Sequence, residues 1–89
     1  MSKARDILKK DRQLILDTFD SRCIICGAKT NIIHEIVPIS HGKNSLKIEN
    51  RVPLCLIHHD WAHSVGTNNS IPILQQKREE YLVRHNKTI

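Results

Sequence analysis

Residues 54–63 read LCLIHHDWAH. Cys55 and His58 stand three positions apart, and His59 and His63 stand four apart. On a helix the second spacing puts two imidazoles on one face, a turn apart, where both can reach a single ion. The first spacing is that of half a tetrahedral metal site, in which two ligands on one tight turn face the same ion. One short stretch therefore carries partial ligand sets for two different ions. Each set has to be completed from elsewhere in the chain.

The first set is completed by Cys23 and Cys26, in the run CIICG at residues 23–27. Cys23-x-x-Cys26 followed by Cys55-x-x-His58 makes a Cys₃His group, which suits a structural Zn²⁺. The alternative is three unrelated buried thiols, against which stand two cysteines in CxxCG and a third heading a second C-x-x-H; the odd cysteine count separately argues against a closed disulfide framework. A zinc here ties residues 23–26 to residues 55–58. It also supplies folding energy that a small core lacks. With 89 residues, 39% hydrophobic and 3% aromatic, the chain has room for one domain and few large side chains to fill it.

The second set is completed by His34, in the apolar, β-branched run NIIHEIV at residues 31–37, which predicts a strand. Residues 38–50 predict a loop, residues 51–55 a short edge strand limited by Pro53, and residues 57–64 a short helix. Strand, loop, strand and helix can carry His34 across to the His59–His63 face. Three imidazoles leave coordination positions open, as catalytic sites do. The plainer alternative is a pair of surface histidines.

Two further helices are expected. Over residues 3–19, Ile7, Leu8, Leu14, Ile15 and Phe19 recur at helical spacing with Leu16 on the flank, behind a face of mixed charge. Residues 65–72, VGTNNSIP, predict a polar linker, and residues 72–85 a last helix with Ile73, Leu74, Tyr81, Leu82 and Val83 on its apolar side. The formal charge is +5 and the pI about 9.4, which favours an anionic partner such as nucleic acid. The N-terminal run is charged and lacks a signal-peptide core, and no apolar run reaches the roughly 20 residues needed to span a bilayer. With thiols paired to histidine, these features predict a cytoplasmic protein.

In combination, CIICG, HEIVPISHG, Asn50 and LCLIHHDWAH resemble the HNH endonuclease family, over residues 23–63. The resemblance implies an α+β fold: a small ββα-metal (His-Me finger) unit buttressed by a zinc knuckle. Here it would form a single domain, 1–89, with added helices like those of small phage-type members. It implies an enzyme that hydrolyses DNA phosphodiester bonds with one divalent metal, Mg²⁺, Mn²⁺, Ni²⁺ or Zn²⁺, leaving a 5′-phosphate and a 3′-hydroxyl. His34 and His59 fall on metal-ligand positions, and His63 on an extra ligand position that some members use. Asn50 falls on the asparagine that holds the loop and orients the base. Lys43, Lys47 and Arg51 are the expected phosphate contacts, with Arg22 and Lys29 second. A chain this short could dimerise to cut both strands, or serve as a subunit of a larger assembly.

One position departs from the family's pattern. The residue after the first ligand is usually a histidine that acts as general base, and here it is Glu35. A carboxyl group with an ordinary pKa of about 4.3 is a weaker base than an imidazole at about 6.5. Glu35 could replace the histidine as base. It could instead add a metal contact, with water activated by the ion alone or by His41. Or the site could bind metal and DNA without cutting, in a zinc-stabilised DNA- or protein-binding module.

Overall fold

A computed structural model describes residues 2–38 and 47–88, with side chains from residue 9 onward. Its elements are α1 (Ser2–Thr18), β1 (Ile33–Glu35), β2 (Arg51–Pro53), α2 (Leu56–Ser64) and α3 (Thr67–Arg84). A single 3₁₀ turn, Ile48–Asn50, leads into β2. The described residues thus make a small mixed fold of three helices and one two-stranded antiparallel sheet. His41, Gly42 and Lys43 lie outside the described residues.

Helix α1 buries Ile15 and Phe19, one turn apart, with Leu16 beside them, while Lys9, Lys10, Arg12 and Asp17 face out. Leu14, expected on the apolar side, is half exposed, because the stripe that meets the core is set by the Ile15–Phe19 pair. The helix stops where Asp20 and Ser21 take left-handed φ angles of 58° and 52°. The Ser21 N–H then returns to the Leu16 carbonyl at 2.7 Å.

This reversal delivers the chain into the turn that holds Cys23 and Cys26. The Cys23 N–H donates to the Ala28 carbonyl at 2.8 Å, and Gly27 N–H to the Cys23 carbonyl at 2.9 Å. Gly27 sits at φ +78°, a conformation that strains any residue with a side chain. The Ile24 N–H donates to the Pro53 carbonyl at 3.2 Å, so the turn is fastened to β2.

In the sheet, His34 lies opposite Val52, and Glu35 opposite Arg51. Residues directly opposite share a face, so His34 and Val52 point one way and Glu35 and Arg51 the other. The first strand is shorter than the expected 31–37. Beyond Glu35 the ladder is replaced by Asn50, whose carbonyl accepts from Ile36 N–H at 2.8 Å and whose side-chain amide engages Val37. The second strand ends at Pro53 rather than Cys55, because Cys55 turns to cap α2 with its sulfur.

Arg51, one of the expected phosphate contacts, faces inward. It is 6% exposed, and its Nη2 meets the Asp11 carboxylate at 3.1 Å, joining β2 to α1. A guanidinium so enclosed by the fold is spent on internal packing.

The last helix begins five residues earlier than expected and absorbs most of the supposed linker, starting at Thr67 and running through Pro72. Pro72, the sixth residue of the helix, is exposed, and its missing N–H removes one i→i−4 hydrogen bond just past the first turn. The buried stripe runs Ser70, Leu74 and Leu82, with half-buried Arg78 between the last two. Ile73 is 41% exposed and Val83 72% exposed, so neither belongs to the apolar side. Tyr81 packs its ring 5.0 Å from Phe19 and donates its hydroxyl to Asp20 at 2.7 Å, locking the end of α3 to the end of α1. Among the described residues, no helix is long and apolar enough to cross a membrane.

Candidate metal centres

Cys23, Cys26, Cys55 and His58 converge, with all four ligand atoms within 4.8 Å of one another. A tetrahedral ion about 2.3 Å from sulfur and about 2.0 Å from nitrogen sets S···S edges of about 3.8 Å and S···N edges of about 3.5 Å. Cys26 and Cys55 sulfurs are 3.7 Å apart, and the His58 Nδ1 lies 3.6 Å from the Cys23 sulfur and 3.2 Å from that of Cys55. The group therefore has the size of a zinc tetrahedron. Cys55 has a second role, since its sulfur accepts the His58 N–H at 3.5 Å and caps α2.

Burial raises the Cys23 thiol, but the N–H groups of Cys55, Cys26 and Ile25 outweigh it and hold Cys23 below the ordinary range. The Ala28 N–H pulls Cys26 down, but desolvation and the sulfurs of Cys55 and Cys23 outweigh it and push Cys26 up. Sulfurs this close resist ionising together unless an ion shares their charge.

The second group is His34, His59 and His63, again with ligand atoms within 4.8 Å of one another. Ring centroids are 5.3 Å apart for His34 and His59, 5.6 Å for His34 and His63, and 4.7 Å for His59 and His63, all edge to face. His34 is buried, while His59 is half-buried and His63 exposed. Burial, and then the neighbouring His59 and His63, push His34 down to about 4. It is therefore neutral at physiological pH, the form in which imidazole ligates a metal.

These histidines open on a cleft of about 290 Å³ that is also lined by Glu35, Ile36 and Pro38 from the β1 side and by Thr67 and Ser70 from α3. Glu35 lines the cleft but is not a member of the convergent set, which consists of the three imidazoles. Asn50 stands behind the site. Its Oδ1 accepts from Val37 N–H, and its Nδ2 donates to the Val37 carbonyl, both at 2.9 Å.

Of the expected phosphate contacts, Lys47 is exposed, Arg51 is enclosed, and Lys43 is outside the described residues. Arg22 is exposed but donates to the Gly27 carbonyl at 3.0 Å, bracing the cysteine turn, and Lys29 is exposed. Thr67 and Ser70 are cleft residues that the sequence reading placed in a linker. The available signal was Gly66, which has φ +91° and stands at the N-cap of α3.

Neither family models, nor curated proteins, nor solved structures gave a match to this chain.

Proposed function

We propose that this chain is a small metal-dependent endonuclease of the HNH kind, with the ββα-metal architecture, hydrolysing DNA phosphodiester bonds. The observation that carries the reading is the convergence of His34, His59 and His63 on one open cleft, beside a separate Cys₃His group. A scaffold needs only the second. A site with three neutral-capable imidazoles and open positions suits an ion that works on a substrate.

His34, His59 and His63 would hold a divalent ion, which would supply charge stabilisation to the phosphodiester in the transition state. Asn50 holds the Val37 backbone at the exit of β1 and would orient Glu35, two residues earlier. Glu35 borders the cleft, although its side chain leaves β1 on the face opposite His34, and it is the proposed base for the attacking water. Exposed Lys47, with Lys9 and Lys10 on α1, would meet backbone phosphates, so binding would be salt-sensitive and weakly selective for sequence. Cutting both strands would take two copies or a larger assembly. A reducing compartment such as the cytoplasm would keep the three thiols available.

The test is nicking of supercoiled plasmid with Mg²⁺, Mn²⁺, Ni²⁺ or Zn²⁺, comparing wild type with His34→Ala, His59→Ala and Glu35→Ala. Metal-dependent nicking lost in both histidine variants is expected. Nicking no greater than the His34→Ala background would sink the enzyme reading. Full activity in Glu35→Ala would remove Glu35 as the base. One observation favours a second reading, a non-catalytic DNA- or protein-binding module: a carboxylate, outside the imidazole set, stands where the family has its histidine. Salt-dependent DNA binding without nicking under any of the four metals would favour it.

A further inference from the structure

The two ion sites share one short helix. His58 of the Cys₃His group and His59 of the imidazole group are consecutive residues of α2. The helix is capped by Cys55, a ligand of the first group, and it carries His63 of the second. Whatever holds the N-terminal turn of α2 therefore also fixes where His59 and His63 point.

That turn is held by sulfur chemistry with a solvent-facing side. Cys26 is exposed, and its sulfur lies 3.7 Å from that of Cys55. Cys55 in turn accepts the His58 N–H at 3.5 Å. The Cys26 turn is anchored to the body through Ile24 and Pro53, independently of α2. A change at the Cys26–Cys55 contact thus acts at the start of α2, the helix that carries His59 and His63.

We propose that the Cys26–Cys55 contact is a redox gate on the imidazole site, closed by a peroxide. The Cys26 thiolate attacks the peroxide O–O bond and takes one oxygen as a sulfenic acid. With one proton taken up, water leaves when the peroxide is hydrogen peroxide. The Cys55 thiolate then attacks the Cys26 sulfur, the S–O bond breaks, and a second proton carries that oxygen away as water. The two sulfurs together lose two electrons and the peroxide gains them. The disulfide leaves Cys23 and His58 as an incomplete ligand pair, so the first ion is released. It also removes the Cys55 thiolate from the start of α2, and His59 and His63 lose their alignment with His34. A dithiol reductant exchanges with the disulfide, becoming oxidised itself and returning both thiols, and added Zn²⁺ then reoccupies the four-ligand group.

The gate rests on reading His34, His59 and His63 as an ion site, and does not require the chain to be a nuclease. The experiment is calorimetric titration with Ni²⁺ of the full zinc-loaded chain, reduced and then treated with hydrogen peroxide. Released zinc is measured and the disulfide located by peptide mapping. The reduced chain is expected to bind Ni²⁺ in a manner abolished by His34→Ala. After peroxide, zinc release, a Cys26–Cys55 disulfide and an affinity loss of about tenfold to a hundredfold are expected, the range seen when support around metal ligands is removed. Reductant with zinc should restore the affinity. Cys26→His lacks the outer sulfur, so the comparison is with its own reduced state: peroxide should cause no further fall in its Ni²⁺ affinity. Unchanged Ni²⁺ affinity in the oxidised wild type, or a disulfide that excludes Cys26, would overturn the gate alone. Absence of His34-dependent Ni²⁺ binding in the reduced chain would overturn the ion site and the gate with it.

Discussion

The side-chain amide of Asn50 makes a reciprocal pair of hydrogen bonds with the backbone of Val37, each 2.9 Å. It reproduces what one more ladder residue would have done, at the point where β1 leaves the sheet. Asn50→Ala removes both partners from a half-buried backbone unit and should cost about 1–3 kcal/mol of stability, read from urea unfolding. Asn50→Asp should be no rescue, because a carboxylate keeps the acceptor but loses the donor that faces the Val37 carbonyl. Wild-type stability in both variants would contradict this assignment.

The Arg51–Asp11 pair makes a second prediction, about binding as well as stability. Arg51 is almost wholly enclosed, whereas the Asp11 side chain keeps 30% of its exposure, which screens part of the interaction. Asp11→Ala should still destabilise, by about 1–3 kcal/mol, since it removes the carboxylate paired with a buried guanidinium. If the chain binds DNA as proposed, Lys47→Gln should flatten the salt dependence of affinity, and Arg51→Gln should leave that slope unchanged. The reverse pattern, with Arg51 controlling the slope, would show that Arg51 reaches phosphate.

Zinc removal tests the Cys₃His group directly. The folded, reduced chain should contain at least one zinc per molecule, and His34→Ala should retain one. Stripping it with a strong chelator should abolish helical circular dichroism, because metal binding at such sites supplies folding free energy on the order of 10 kcal/mol. Full helicity after zinc loss would show that the core alone carries the fold.

Tyr81 provides a pH prediction with a clean readout, since it is the sole tyrosine. Burial, and then the hydrogen bond to Asp20 and its negative charge, push the phenol up to about 12 from 10.0. The folded state thus favours the neutral phenol. Its contribution to stability is complete below pH 10 and is lost as pH rises from 10 towards 12. Phenolate absorbance in the folded protein should titrate near 12, and Asp20→Asn should lower that midpoint. A wild-type midpoint at 10 would refute the Tyr81–Asp20 link.

Much of the site was legible in the order of residues because metal ligation imposes short, fixed spacings. Cys23-x-x-Cys26 and Cys55-x-x-His58 lie on local turns, and His59 and His63 are one helical turn apart, so each half-site is a property of a few consecutive residues. Glu35, by contrast, could be seen to depart from a pattern, but its relation to the imidazoles depended on which way two strand faces pointed. Ser70 and Thr67 were invisible as cleft residues because the buried stripe of α3 begins with a small polar residue, which no hydrophobic periodicity marks. Ile73 and Val83 misled for the opposite reason, since apolar side chains on an exposed helix face look the same as core residues in sequence.

The half-sites Cys23-x-x-Cys26, Cys55-x-x-His58 and His59/His63, the stripe of Ile15 and Phe19, and the glycine turn after Cys26 were legible in the order of residues, because each depends on interactions within a few residues. The folded arrangement of distant segments was needed to show that Arg51 turns inward to Asp11, that α3 starts at Thr67, that the half-sites come together, and that α2 contributes to both candidate metal groups. Those outcomes depend on which surfaces compete for the same small core, and that competition is settled by packing between segments far apart in the chain.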